Sequence, residues 1–153
     1  MNVRVYGRTH RPHTHVGAVD GATPNLEELC AASGVTLVTD DAIAAASEAL
    51  RRQLDARFLL TTRGSQGATL VEQDKVAVHL PVHGSDEVAD VTGAGDTVLA
   101  TLTLALAAGA TPVEGALLAN LAGGIVVTKL GTATASREEL HRAGEAVFAE
   151  EPD

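Results

Sequence analysis

Asp90-Val91-Thr92-Gly93-Ala94-Gly95-Asp96 puts two kinds of chemistry at one point of the chain, immediately before the apolar stretch Thr97 to Ala108. A glycine-rich turn that opens a helix leaves the first backbone N–H groups unpaired and adds the positive end of the helix dipole. Such a turn receives anions, phosphate above all. Asp96 falls in the first helical turn, where its carboxylate can accept a proton beside a bound anion. An anion cradle of Gly93, Ala94 and Gly95 next to a carboxylate base is the minimum equipment for phosphoryl transfer to a hydroxyl. A tight loop with an acidic helix cap would use some of the same residues. The length and order of this segment favour the chemical reading.

Bulk properties narrow the partners. The 153 residues suit one domain with a core of its own. A net charge of −9 excludes a broad nucleic-acid or anionic-membrane surface, so a phosphate ligand must be held by local amides, metal and a few cations. The single cysteine, Cys30, excludes an internal disulfide and fits a reducing compartment. No run resembles a signal peptide or spans a bilayer, so a cytoplasmic protein is expected. With no Trp, one Tyr and two Phe, the core must be built from Ala, Val, Leu and Gly. That composition suits alanine-rich helices laid closely on a sheet.

The supporting elements follow from pattern and punctuation. Asn2 to Tyr6 alternates weakly, as a short strand would. Gly7 to His15 is basic and histidine-rich without periodicity and reads as a loop or arm. His10, His13 and His15 lack a carboxylate or cysteine spaced to complete a metal site. Thr23-Pro24 starts a helix, with threonine as cap and proline at the first position, and Gly34 ends it. Asp40 and Asp41 start a second, with Ile43, Ala46, Ala49, Leu50 and Leu54 as its apolar stripe. Arg57 to Thr62, Gly67 to Glu72 and Lys75 to Pro81 read as strands, the last two joined at Gln73-Asp74. Helices follow over Asp96 to Ala108 and Pro112 to Leu130, the second with a kink expected at Gly123-Gly124. Ser136 opens a last helix, with Glu139 completing a capping box. This order implies an α/β layer fold with helices on a mostly parallel sheet.

The Asp90 to Asp96 segment resembles the DTGAGD signature of the ribokinase (PfkB) carbohydrate kinases, with Val91 inside a D-x-T-G-A-G-D frame. The resemblance covers roughly Gly21 to Leu140 and implies a layered α/β/α ribokinase-like fold that uses ATP and Mg2+. It implies that Asp96 is the catalytic base, and that Gly93, Ala94 and Gly95 stabilise the transferring phosphoryl group. Asn25-Leu26-Glu27-Glu28 is similar to the family's N-x-x-E element, which implies that Glu28, supported by Asn25, helps organise magnesium. Thr61-Thr62-Arg63-Gly64-Ser65-Gln66-Gly67 resembles its T-x-G-x-x-G turn, which implies that Thr62, Arg63, Gly64 and Gly67 border the nucleotide; Arg63 reads as a phosphate contact or, equally, as a surface arginine. Thr92, in the Asp90 to Asp96 turn, is likewise implied to border the nucleotide. Asn120 and Gly124 occupy the helix that flanks the adenine in such kinases. Asp90, with carbonyls near Thr92, Val127, Leu130 and Thr132, corresponds to the loop pair that holds a monovalent cation such as K+.

Within the family, His79-Leu80-Pro81, Ala119-Asn120-Leu121-Ala122 and Val127 to Thr134 look like the kinase domain of heptose 7-phosphate kinase/ADP-heptose synthase proteins. The acceptor implied is therefore a sugar phosphate hydroxyl. Such kinases are about twice this length, and their first half carries the sugar-binding residues and a β lid. Residues 1–20 do not resemble that half and form an arm of unclear role, while 21–150 read as the nucleotide-binding half. A homodimer, or a partner chain supplying the other half, is expected. A non-catalytic nucleotide-binding or assembly module is the alternative from a different class.

Overall fold

The computed structural model describes residues 5–7, 19–36, 38–82 and 89–149. Among them, one sheet contains β1 (Val5–Gly7), β2 (Gly21–Thr23), β3 (Phe58–Thr62), β4 (Ala68–Glu72) and β5 (Val78–Leu80), in that spatial order. The helices are α1 (Leu26–Ser33), α2 (Asp40–Gln53), α3 (Ala94–Ala107), α4 (Pro112–Val127) and α5 (Arg137–Ala149). β1, β2 and β3 run parallel, whereas β3–β4 and β4–β5 pair antiparallel. The expected parallel sheet and hairpin are both present, as an even mixture rather than a mostly parallel sheet. Of the expected strand at the start of the chain, Val5 and Tyr6 are seen paired to β2, and Gly7 extends the strand instead of opening a loop. His10, His13 and His15 lie outside the described residues.

Alternation along β3 sorts the core into two layers. Phe58 and Leu60 join Ala68, Leu70 and Leu80 beneath Val98, Leu102 and Leu106 of α3 and Ala116 and Ala119 of α4. Leu59 joins Ala22 and Val71 on the other face, against Leu29 of α1 and Ile43 and Leu50 of α2. A strand buried on both faces reads as a continuous apolar run, as Phe58 to Leu60 does. Each fully buried leucine contributes roughly 1.5–3 kcal/mol. Small residues set the α3–α4 spacing: a side chain at Gly115 would meet Leu102 at 2.9 Å, and one at Gly123 would meet Val98 at 3.0 Å. α4 runs unbroken through Gly123-Gly124 to Val127.

Helix starts differ from expectation where two capping residues compete. Thr23 is the last residue of β2, and the cap of α1 is Asn25. Asn25 Oδ1 accepts from the Glu28 amide at 2.8 Å, and Glu28 Oε2 accepts from the Asn25 amide at 3.0 Å. This reciprocal box satisfies two orphan donors, more than a threonine followed by proline can offer. α2 starts at Asp40 as expected, with Thr39 as its cap. Ser136 and Glu139 form the capping box expected at α5.

α2 departs from its expected stripe. Ala49 is exposed, whereas Ser47 and Arg51 are buried. Both polar side chains are satisfied, which is what permits their burial. Ser47 Oγ lies 2.8 Å from Thr61 Oγ1. Arg51 donates to both oxygens of Glu48 at 2.7 Å and to the Ala56 carbonyl at 2.6 Å. Hydrogen bonds from Arg51, with further ones from Arg52, pull the Glu48 carboxyl from 4.5 to about 2. Stabilisation from a depressed carboxyl is complete above the unfolded value and is lost as pH falls through the folded one. Glu48→Gln is therefore expected to lower the unfolding free energy by about 1.5–3 kcal/mol at neutral pH. Denaturant melts of both proteins should show that gap shrinking from pH 4.5 toward 2. A gap as wide at pH 3 as at pH 7 would refute this role for Glu48.

Candidate functional site

The C-terminal ends of β2, β3 and β5 reach the same edge of the sheet. Thr62 is in register with Ala68, and Ala68 with Leu80. The crevice beyond such strand ends is where open α/β sheets bind ligands. Every motif singled out above leaves the sheet at this edge or is carried to it by α3 and α4.

The anion turn enters α3 through Gly93, whose φ of 82° and ψ of −1° are left-handed and favour glycine. A side chain there would also press on Thr132 Cγ2 at 3.2 Å. No side chain caps α3. The Ala94 amide makes a 3.2 Å turn bond to the Val91 carbonyl, while the Gly95 and Asp96 amides have no acceptor among the described residues. Of the three expected anion donors, Ala94 is thus partly engaged, and the Asp96 amide stands open instead. Gly95 is exposed, and a side chain there would meet nothing within 4 Å. The protein itself does not require glycine at 95, so the position is open to a ligand. Asp96 is exposed beside these amides.

Asp90 braces the turn from behind. Its Oδ1 accepts from the Thr92 amide at 2.8 Å, and its Oδ2 from the Gly131 amide at 3.1 Å. Hydrogen bonds from Thr92, hydroxyl first and then amide, and from Gly131 hold its carboxyl below the usual carboxylate range. The Val127 carbonyl accepts from both Ala89 and Asp90, at 2.8 and 3.1 Å. That carbonyl, expected to face a monovalent cation, is engaged by two donors. The loop after α4 is also held by Lys129, which donates to the Thr134 carbonyl at 2.7 Å and pairs with Glu139. The hydrogen bond from Lys129, then that from the Ser136 amide, brings the Glu139 carboxyl down to about 2.

Asn25 and Glu28 sit beside the strand-end turn, since Asn25 bridges to Thr62 and the Thr62 amide donates to the Pro24 carbonyl at 2.9 Å. Their side chains form the α1 capping box, so any metal role is added to a structural one. Among the described residues, no three His, Cys, Asp or Glu side chains converge as a metal cage. Gly64 to Gln66 make a single 3-10 turn that closes at Gly67. A side chain at Gly67, with φ of 81°, would collide with the Leu80 carbonyl, so this turn is pressed onto the exit of β5.

Arg63 corrects its expected role as a phosphate contact. Its side chain is only 8 % exposed and donates to Asp40 Oδ1 at 2.6 Å and to Thr69 Oγ1 at 3.3 Å. The guanidinium is turned into the protein, where a carboxylate satisfies it. Asn120 donates from Nδ2 to the Pro81 carbonyl at 2.6 Å and ties α4 to the exit of β5. Gly124 follows one turn later on the same half-buried stretch.

These contacts form one continuous arc: Asn25 to Thr62, the turn to Leu80, Pro81 to Asn120, and Val127 to Asp90 and the anion turn. Sequence reasoning missed Asp40, Thr69, Lys129 and Glu139 as supports of this arc. Only the Ser136–Glu139 box left a local signal; the other partners lie far apart along the chain.

Residues 9–139 match the profile of the pfkB family carbohydrate kinases. The bifunctional protein HldE of Nitrosococcus oceani is 52% identical over 121 residues, which are 79% of this chain and 25% of that protein. The HldE of Syntrophotalea carbinolica is 44% identical over 121 residues and 24% of its length. The chain thus spans about a quarter of the length of these curated relatives. Escherichia coli phosphofructokinase-2 in complex with potassium superposes with a TM-score of 0.78 at 22% identity, over 87% of this chain and 42% of that one. Thermotoga maritima ribokinase gives 0.73 at 28% identity, over 83% and 42%. With the glycine turn, the strand-end turns and their arrangement in place, the chain belongs to the pfkB family of carbohydrate kinases.

Proposed function

We propose that this chain is the nucleotide-side half of a kinase that transfers the γ-phosphoryl group of ATP to a hydroxyl of a sugar phosphate. The observation that carries this reading is the first turn of α3, where open amides of Gly95 and Asp96 stand beside the exposed Asp96 carboxylate. The similarity to HldE proteins supports a heptose 7-phosphate acceptor and a place in ADP-heptose synthesis. ATP and Mg2+ fit a cytoplasmic setting, and no helix among the described residues is long and apolar enough to cross a membrane.

In this reading the acceptor hydroxyl lies against Asp96, which takes its proton as the oxygen attacks phosphorus. The Gly95 and Asp96 amides, with Gly93 setting their direction and Ala94 beside them, stabilise charge gathering on the transferring group. They are fixed before substrate arrives, so they favour the transition state. Magnesium, when bound with the nucleotide, neutralises phosphate charge; Glu28, seated by Asn25, would hold it through water. Thr62, Gly64, Gly67 and Thr92 line the phosphate side, and Asn120 with Gly124 flank the base. A monovalent cation such as K+ would stiffen the loops joined by Asp90, and a potassium complex of a structural neighbour fits that idea.

Asp96 and Gly95 are exposed, which favours completion of the sugar side by surface beyond the described residues, such as a second copy or a partner chain. The same exposure supports a second reading, a nucleotide-binding module without turnover.

Gly95→Ala separates ligand binding from folding. The variant should keep its stability or gain about 0.4–1 kcal/mol from reduced unfolded-state freedom. Its Mg-ATP affinity, measured by calorimetric titration, should fall at least about tenfold, because the added methyl enters the space of the transferring phosphate. An unchanged affinity would remove Gly95 from the site. Asp96→Asn should leave ADP affinity within a few-fold and lower sugar-phosphate-dependent ADP release by about 100- to 10,000-fold. Equal turnover by both proteins would sink the assignment of the base. Nucleotide binding with no turnover by the unaltered chain would select the second reading.

A further inference from the structure

Beneath the strand-end turn lies a buried polar row that the transfer chemistry does not use. Ser47, Thr61 and Thr69 are all fully buried, and Thr61 is in register with Thr69, which is in register with His79. Ser47 Oγ meets Thr61 Oγ1 at 2.8 Å, and Thr69 Oγ1 meets His79 Nδ1 at 3.0 Å. Arg63 enters this row from the turn itself, reaching Thr69 Oγ1 with Nη1 and Asp40 Oδ1 with Nη2. Its Nε is buried and has no partner among the described residues. A charged side chain buried with one donor unsatisfied is costly, and a hydrophobic residue of similar size would pack there without that cost.

What this arrangement provides is geometry. The Arg63 amide donates to the Gly67 carbonyl at 2.8 Å, closing the turn, while its guanidinium ties the first residue of α2 to the middle of β4. The Gly64 to Gly67 turn is thereby held from below by a side chain that its own backbone carries. Above it, Gly67 lies against the Leu80 carbonyl and Asn120 holds the next carbonyl, Pro81. A tilt of this turn would move both the strand-end glycines and the Asn120 side of the site.

We infer that Arg63 is a positioning residue for nucleotide: its clamp on Asp40 and Thr69 sets the Gly64 to Gly67 turn at the angle the ligand requires, and it does not touch phosphate. This rests on the reading of the site as a nucleotide site.

The test is ADP and Mg-ATP titration of the unaltered chain and of Arg63→Met, Arg63→Lys, Asp40→Asn and Arg51→Met, each with a thermal melt. Arg51 is the control, since it is equally buried at the other end of α2 and joins Glu48 and Ala56 away from the turn. Arg63→Met should weaken ADP binding about 10- to 100-fold, the scale of a small misplacement of a site. Arg63→Lys should recover part of that loss, and Asp40→Asn should weaken binding in the same direction. Arg51→Met should melt earlier yet bind ADP normally. Normal ADP affinity in Arg63→Met would overturn the inference while leaving the nucleotide site standing. So would equal losses in Arg63→Met and Arg51→Met, which would make the effect one of stability alone. Should Arg63→Met fail to fold, Asp40→Asn, whose residue is exposed, decides in its place: unaltered affinity there overturns the clamp. No binding by the unaltered chain would overturn the nucleotide reading and the inference with it.

Discussion

The site depends on one carboxylate, Asp90, that touches neither nucleotide nor acceptor in the proposed chemistry. α3 starts without a side-chain cap, at a left-handed glycine, and its first amides face outward. Within the turn, only the Gly93 and Val91 carbonyls are held from the helix side, by Thr97 and Ala94, which leaves Asp90 to Thr92 in need of a further restraint. Asp90 supplies the missing restraint by accepting amide bonds from Thr92 on one side and Gly131 on the other. Its depressed proton affinity keeps it ionised, and its charge is met by those donors rather than by the open amides ahead of it. The anion turn can therefore remain unpaired in front because it is paired behind.

The same logic extends along the sheet edge. Gly67 is needed because the strand-end turn touches the backbone of β5, and Asn120 is needed because the next carbonyl would otherwise lack its donor. Lys129 and Glu139 hold the loop that carries Gly131, so the brace on the anion turn is itself braced by α5. Backbone groups at strand ends and loop bends are thus joined by side chains from distant elements.

How much of this is legible in sequence follows the range of the signal. The apolar run Phe58 to Leu60, the glycine turn at Gly93 and the Ser136–Glu139 box are local patterns, and the structure contains each of them. The start of α1 was misplaced onto Thr23 because two good caps lie close together. The choice between them is made by β2, which takes Thr23 into the sheet. The stripe of α2 failed at Ala49 because hydropathy cannot foresee that Ser47 and Arg51 find partners on β3 and at Ala56. Neither a phosphate contact nor a surface arginine describes Arg63, for the same reason: Asp40 and Thr69 lie on other elements, and spacing does not reveal them. Sequence shows where the turns are; which polar side chains hold them is decided by the fold.

Two halves of a phosphoryl-transfer site make different demands on a chain. The phosphate side needs fixed amides, which backbone and nearby braces supply from within the described residues. The acceptor side needs a wall that excludes water and orients a hydroxyl, and Asp96 stands there uncovered. A chain that covers 42% of a full-length structural neighbour can hold the first set of groups in place by its own contacts. In the proposed reading, the second set comes from surface that the described residues do not supply. On that reading nucleotide affinity rests on the described residues, and turnover on whatever covers Asp96.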